Sequence, residues 1–229
     1  RIIDSMSRAA DEAGVEIVTG DTKVVPKGSA DKIFINTSGI GIIEHDLDLG
    51  LHSVEPGDEI IVSGPVGNHG MAVMLSRAEF SFDFSIRSDS ASIWPVVERL
   101  LELGKDLKFL RDPTRGGIAA TLNEIASGAS VEIAVEESAI PIDDDVRAAA
   151  EMLGIDPLLA ANEGKLVAVV KKGIAAKALD LMTGCGLSAN ARVIGTVISN
   201  TVSRVVMNTR IGGSRILAEP SGELLPRIC

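Results

Sequence analysis

From residue 58 onward the chain alternates between two hydrophobic periods, and this alternation restricts the available folds more than any other feature. Behind the Pro56-Gly57-Asp58 turn, residues 59–63 form a short apolar run of the kind that makes a buried strand. Met71, Met74, Leu75 and Ala78 then recur at helical spacing. So do Ile93, Val96, Val97, Leu100 and Leu101, and again Ile118, Leu122, Ile125 and Ala126, a helix predicted to stop at Gly128. Residues 131–135 read as a strand, and Val146, Ala149, Ala150 and Leu153 mark a further helix. Residues 165–170 read as a buried strand and 174–182 as a helix, with a hairpin predicted from 192–199 and 202–207 turning at Asn200. Such a mixture predicts an α+β fold with helices packed on a mostly antiparallel or mixed sheet, and leaves its topology open.

The first part of the chain is patterned differently. Ile2, Ile3, Met6, Ala9, Ala10 and Ala13 repeat at helical spacing with no capping residue before them, and Gly14 is a helix-stop residue. The expectation is that the chain begins inside a helix and lacks an N-terminal portion. Residues 15–25 read as extended with a break at Gly20-Asp21, residues 26–28 as a turn, and 32–36 and 39–43 as strands. A domain boundary is placed near residues 50–58. The expected division is 1–57, 58–212, and a terminal strand with a mobile tail at 213–229.

Composition removes several classes of function. With five Phe, one Trp and no Tyr, the core must be aliphatic, and stacking platforms for single-stranded nucleic acid are lacking. A formal charge of −10 opposes a polyanionic partner except at a local basic or backbone-amide site. No apolar run approaches the roughly 20 residues of a membrane span, and no signal peptide pattern is visible. The two cysteines, Cys185 and Cys229, make no disulfide framework, and no Cys/His cluster has zinc spacing. The chain reads as a reduced cytoplasmic protein with neither a nucleic-acid nor a membrane partner.

Four segments stand out chemically. Asp112-Pro-Thr114-Arg115-Gly116-Gly117 directly precedes a helix. Asp112 suits a cap, Pro113 the first helical position, and the two glycines a close ligand approach. The segment reads either as an anion site at a helix N-terminus or as a capped helix whose Arg points to water. Gly20-Asp21-Thr22-Lys23 is polar between apolar stretches: Asp21 suits a metal or nucleotide, and a desolvated Lys23 would move protons, unless this is a solvated turn. Asn162-Glu163-Gly164 stands at a strand entrance, as a carboxylate in a cleft or as an ordinary loop. The Gly64-to-Gly70 turn has neither P-loop nor dinucleotide spacing, and its His69 reads as structural. Cys185 reads as a small helix-end residue and Asp143-Asp-Asp145 as an acidic helix start. The last residue, Cys229, sits at the tip of a proline-punctuated tail and reads as a group that travels and is modified.

Taken together these segments resemble a known family. Arg111-Asp-Pro-Thr-Arg-Gly-Gly-Ile-Ala-Ala-Thr-Leu-Asn-Glu-Ile125, Ala161-Asn-Glu-Gly-Lys-Leu166, Thr209-Arg-Ile-Gly-Gly-Ser-Arg-Ile216 and Leu225-Pro-Arg-Ile-Cys229 are similar to the HypE family of hydrogenase maturation factors. That family lies within the aminoimidazole ribonucleotide synthetase (PurM-like) superfamily. The Asp-Pro-Thr-Arg-Gly-Gly box is shared across the superfamily, whereas the terminal Pro-Arg-Ile-Cys is far more specific. Two departures accompany the resemblance. The family's N-terminal segment with its acidic metal ligands is absent, and its Gly-Asp-His-Gly turn appears as Gly67-Asn68-His69-Gly70.

The resemblance implies a PurM-like fold and an ATP- and Mg2+-dependent carbamoyl dehydratase. Its partner HypF would place a carbamoyl group on Cys229. Phosphorylation of the carbamoyl oxygen and loss of phosphate would leave a thiocyanate, and the cyano group would pass to a nickel–iron hydrogenase through a HypC–HypD scaffold complex. Glu163 and Lys23 match the candidates for proton removal, and Asp21, Thr22, Asp112, Thr114, Arg115, Gly116, Gly117 and Asn162 those for nucleotide contact. A homodimer is implied for the full-length protein, and the chain on its own is expected to be inactive. From Gly213 to Cys229 the tail could extend roughly 50 Å at about 3.3 Å per residue. Rival readings are another superfamily enzyme, such as a thiamine-monophosphate kinase or selenide water dikinase, and a non-catalytic carrier that presents its tail to partners.

Overall fold

The computed structural model describes residues 1–30, 32–77 and 85–219, so the terminal residue Cys229 lies outside the described residues. The chain divides into two compact units, Arg1–Asp46 and Leu47–Cys229. In the first, helix α1 (Ile2–Ala13) ends where the sequence predicts. Gly14 adopts the left-handed conformation at φ 67°, and Val15 N–H donates to Ala10 O at 3.0 Å, closing the last turn. Beyond it the described residues hold no helix and no strand ladder. The runs expected as strands at 32–36 and 39–43, and the stretch 15–25 read as extended, form no ladder there: a ladder requires a neighbouring backbone, which a period-2 pattern does not itself supply.

The second unit contains β1 (Glu59–Val62), α2 (Asn68–Arg77), α3 (Trp94–Leu101), β2 (Leu107–Arg111), α4 (Gly117–Gly128), β3 (Glu132–Glu136), α5 (Asp144–Leu153), β4 (Val167–Val170), α6 (Ala175–Thr183), β5 (Arg192–Ser199), β6 (Arg204–Asn208) and β7 (Ser214–Ile216). The strands make one sheet in the order β2-β4-β1-β5-β3-β6-β7. Every neighbouring pair is antiparallel except β3 and β6. The mixed sheet expected from the sequence is present, with two corrections. β2 is an additional strand, carried by a segment with weak alternation. β5 and β6 are not a hairpin, because β3 lies between them, with Ile133 opposite Val197 on one side and Val205 on the other. Glu132 secures this insertion: its carboxylate accepts from Ser199 Oγ at 3.1 Å and from Arg204 Nε at 2.6 Å.

The sheet is buried on both faces. Along β1, Ile60 and Val62 point into one cluster with Val167, Val169, Ile133 and the α4 residues Ile118, Leu122 and Ile125. Ile61, between them, points into the opposite cluster with Ala168, Val170, Val96 and Leu100 of α3, and Met182 of α6. Two covered faces explain why β1 and β4 read as continuous apolar runs rather than alternating ones. A smaller cluster of Met71, Val146, Ala150 and Ala160 seats α2 against α5 and positions the loops described next. At the entrance to β1, Asp58 is buried and accepts from Glu55 N–H at 2.8 Å. Burial pushes its carboxyl pKa up, outweighing that amide and nearby Lys108, which pull it down.

Candidate functional site

Three loops of the second unit meet at Asn162, which is completely buried. Its Oδ1 accepts from Gly67 N–H at 2.8 Å, and its Nδ2 donates to Pro113 O at 3.0 Å and to Ala160 O at 3.1 Å. Its own N–H donates to Pro113 O at 3.2 Å. Both amide protons are thus committed, and the side chain is sealed from solvent. Asn162, expected as a nucleotide contact, is here a clamp between the 64–70, 112–117 and 157–165 segments.

The 112–117 turn is also built differently from its sequence reading. Helix α4 begins at Gly117, with Gly116 as its N-terminal cap at φ 72°. Asp112 is therefore not the cap and Pro113 not the first helical position, because the two left-handed glycines insert a further turn before the helix starts. Gly117 N–H donates to Thr114 O at 2.9 Å. A Cβ on Gly117 would lie 2.5 Å from Leu158 O and 2.6 Å from Ala160 O. Gly117 is needed for backbone packing. Asp112 and Arg115 are exposed and Thr114 is half-buried, so the polar side chains of the turn sit at the start of a 12-residue helix, where anions are favoured.

On the loop beyond Asn162, Glu163 is half-buried and its N–H donates to Asp89 Oδ1 at 3.1 Å. Asp89 Oδ2 lies 3.2 Å from Lys165 Nζ, an ion pair without hydrogen-bond alignment, and the Asp89 side chain is only 5% exposed. Gly164 accommodates the same segment, since a Cβ there would stand 1.9 Å from Asp89 O. Across from it, a His69 ring nitrogen, Nδ1, pairs with Ser88 Oγ at 2.8 Å, and Asn68 Nδ2 donates to Asp143 Oδ2 at 2.9 Å. Asn68 also lines an open cleft of about 410 Å³ with Ile86, Arg87 and the Asp143–Asp145 start of α5.

Four buried side-chain atoms here lack a hydrogen bond: Asn68 Oδ1, His69 Nε2, Asp89 Oδ2 and Glu163 Oε1. Among the described residues they are the complete set of such atoms. Leaving a buried polar group unsatisfied costs about 1–3 kcal/mol. Sequence reasoning missed Ser88 and Asp89 altogether. The one available signal was Gly164, which marks a close approach without naming the segment that makes it.

Asp21, Thr22 and Lys23 belong to the first unit and are exposed, with Thr22 N–H donating to Asp21 Oδ1 at 2.8 Å. Cys185, at the end of α6, is half-buried with its thiol 3.4 Å from Pro95 O. Among the described residues no group of three His, Cys, Asp or Glu is placed to hold a metal, and no helix is long and apolar enough to cross a membrane.

Residues 55–208 match the C-terminal domain of AIR synthase related proteins, and residues 1–43 match the N-terminal domain. The carbamoyl dehydratase HypE of Rhizobium leguminosarum bv. viciae is 50% identical over 230 residues, covering 100% of this chain and 66% of the relative. The HypE of Cupriavidus necator is 48% identical over 229 residues, covering 100% and 65% respectively. A solved structure of HypE in complex with ATP superimposes with a TM-score of 0.94 at 46% identity, covering 100% of this chain and 70% of that one. The HypE-HypF complex gives 0.91 at 47% identity, covering 96% and 71%. The chain thus spans about two thirds of the length of the curated relatives it matches.

Proposed function

Because the chain belongs to the HypE family of carbamoyl dehydratases, with the PurM-like fold of AIR synthase related proteins, we propose that it serves the ATP-dependent dehydration of a carbamoyl group on Cys229 to a thiocyanate. The group would come from HypF, and the resulting cyanide would pass through HypC–HypD to a nickel–iron hydrogenase in the cytoplasm. The working unit would be a homodimer of the full-length protein, in which residues 1–57 close an N-terminal domain, 58–212 form the C-terminal domain, and 213–229 deliver the sulfur.

The observation that best supports this reading is the clamp at Asn162. Through it, the turn carrying Thr114 and Arg115 and the loop carrying Glu163 share one hydrogen-bonded frame. The reaction needs both. An amide oxygen is a poor leaving group and must first be phosphorylated, so negative charge has to be stabilised on the transferring phosphoryl group. Arg115 and Thr114, at the positive end of α4, suit that demand, with Asp112 beside them. Mg2+ would add charge neutralisation when bound. Two protons must also leave the carbamoyl nitrogen. Glu163, with Oε1 buried and unpartnered, suits the removal of one of them. Lys23 and Asp21 remain proposed contributors from the first unit.

The test uses full-length protein, its carbamoylating partner and ATP, read by intact mass. Cys229→Ala should fold yet accept no carbamoyl group. Arg115→Ala should lose ATP turnover. Glu163→Gln should accept the carbamoyl group and bind ATP, with conversion slowed about 10²–10⁴-fold. Conversion by Glu163→Gln at the wild-type rate would remove Glu163 from the mechanism.

A further inference from the structure

We propose that His69 is a second proton acceptor of the dehydration, acting beside Glu163; this deepens the dehydratase reading and rests on it. The starting observation is where the unsatisfied buried atoms lie. A folded chain leaves few buried polar atoms without partners, and each calls for an explanation. Here Asn68 Oδ1 and His69 Nε2 lie in the first turn of α2, directly after Gly67, whose N–H Asn162 accepts, and Glu163 Oε1 follows Asn162 in the chain, while Asp89, which accepts from Glu163 N–H, has its Oδ2 against Lys165 Nζ at 3.2 Å. A set gathered in one place fits a group that arrives from outside.

His69 is held for such a role. Ser88 Oγ takes Ser90 N–H at 3.1 Å and meets His69 Nδ1 at 2.8 Å. A hydroxyl has two acceptor lone pairs and one proton, so after accepting from Ser90 it can still either donate to Nδ1 or accept from it. The ring therefore keeps its place in either tautomer, with Nε2 bare or protonated. The neighbouring residue, Asp89, binds Glu163 N–H through Oδ1, and its backbone oxygen packs against Gly164. One dipeptide, Ser88-Asp89, thus holds the imidazole on one side and the Glu163 loop on the other. The ionisable groups on the segments next to His69 are Arg87 and Asp89, which flank its partner Ser88, Glu163 and Lys165, which Asp89 holds, and Asp143, which Asn68 binds.

The chemistry calls for two acceptors. In the first step the carbamoyl oxygen attacks the γ-phosphorus of ATP, ADP departs, and one N–H proton leaves, giving a sulfur-bound imidate carrying the phosphate. In the second, the remaining N–H proton leaves, the C–O bond to the phosphate breaks, and the carbon–nitrogen triple bond forms on sulfur. The products are the thiocyanate, ADP, phosphate and the protons, with no oxidation or reduction. A carboxylate that has taken the first proton is not free for the second. An imidazole with a bare ring nitrogen is a proton acceptor in its own right. Glu163 is assigned the first proton and His69 the second.

The experiment is a single turnover of the full-length protein, carbamoylated on Cys229 and mixed with ATP, quenched and read by intact mass and by ADP release. His69→Gln preserves polarity but cannot take a proton. It should release ADP normally and accumulate the phosphorylated species, with thiocyanate formation slowed about 10²–10⁴-fold. Added imidazole should restore His69→Ala, whose thermal midpoint reports its folding. Thiocyanate at the wild-type rate in His69→Gln, or ADP release and thiocyanate slowed equally, would overturn the assignment while leaving the dehydratase reading intact. Failure of the wild type to make thiocyanate at all would overturn both.

Discussion

The two compact units use similar apolar residues in opposite ways. In Arg1–Asp46, Val24, Phe34, Ile40 and Ile42 are exposed, and no described residue is buried. In Leu47–Cys229, Ile60, Leu122, Ile133 and Val169 are completely inaccessible. The difference is cover, not composition. β1 and β4 have α4 on one face and α3 with α6 on the other. The alternating residues 32–36 lack any such layer in their own unit. A strand-like pattern states that one face wants to be buried, and the covering surface has to come from elsewhere.

Four substitutions would sharpen or break this contrast. The largest effect is expected at Leu122→Ala, which opens a cavity in the main core and should cost about 2–5 kcal/mol in urea unfolding followed by circular dichroism. A loss below about 1 kcal/mol would mean that the second unit is far looser than its burial implies. Asn162→Ala comes next. It strands Gly67 N–H and removes two donors to buried carbonyls, so a loss of about 3 kcal/mol is expected, since each unsatisfied buried group costs about 1–3 kcal/mol. Hydrogen exchange should rise in the 64–70, 112–117 and 157–165 loops together. Exchange confined to one loop would show that the clamp does not couple them.

Asp58→Asn tests the buried acid at the entrance of the same core. Burial raises the folded pKa of Asp58 above its ordinary 3.8. Between 3.8 and that raised value the folded state holds more protons than the unfolded one, so stability falls as pH rises through the window. The Asn variant should lose that slope, visible in thermal midpoints recorded against pH, and an unchanged slope would place its origin elsewhere. The smallest effect belongs to the first unit. Ile40→Ala should alter stability by no more than about 0.5 kcal/mol. A loss comparable to that of Leu122→Ala would show that residue 40 is buried in solution.

Where burial periodicity is local, the sequence was easy to read. Ile118, Leu122 and Ile125 announced α4, and Gly128 is its last residue. Val146, Ala149 and Ala150 announced α5, which starts at the acidic triplet. β4 stood out because residues 165–170 behind Gly164 form a nearly unbroken apolar run. The candidate site was legible only as separate pieces. Thr114, Arg115 and Glu163 stood out by their motifs, but nothing in those motifs says that Asn162 joins their loops or that Asp89 meets Glu163 from 74 residues away.

The amino-acid sequence alone determined the aliphatic core, the place and type of most elements in the second unit, and the resemblance to an ATP-using family. These depend on side-chain type and spacing within a few turns of chain. Tertiary structure decided that β3 separates β5 from β6, that Gly116 and Gly117 delay the start of α4, that Asn162 is a clamp, and that His69 keeps an unpartnered nitrogen beside the Glu163 loop. Each of these rests on backbone hydrogen bonds and close approaches between segments distant in sequence, and backbone groups are chemically the same at nearly every residue. Which of them meet is settled only once the sheet and its covering helices have packed.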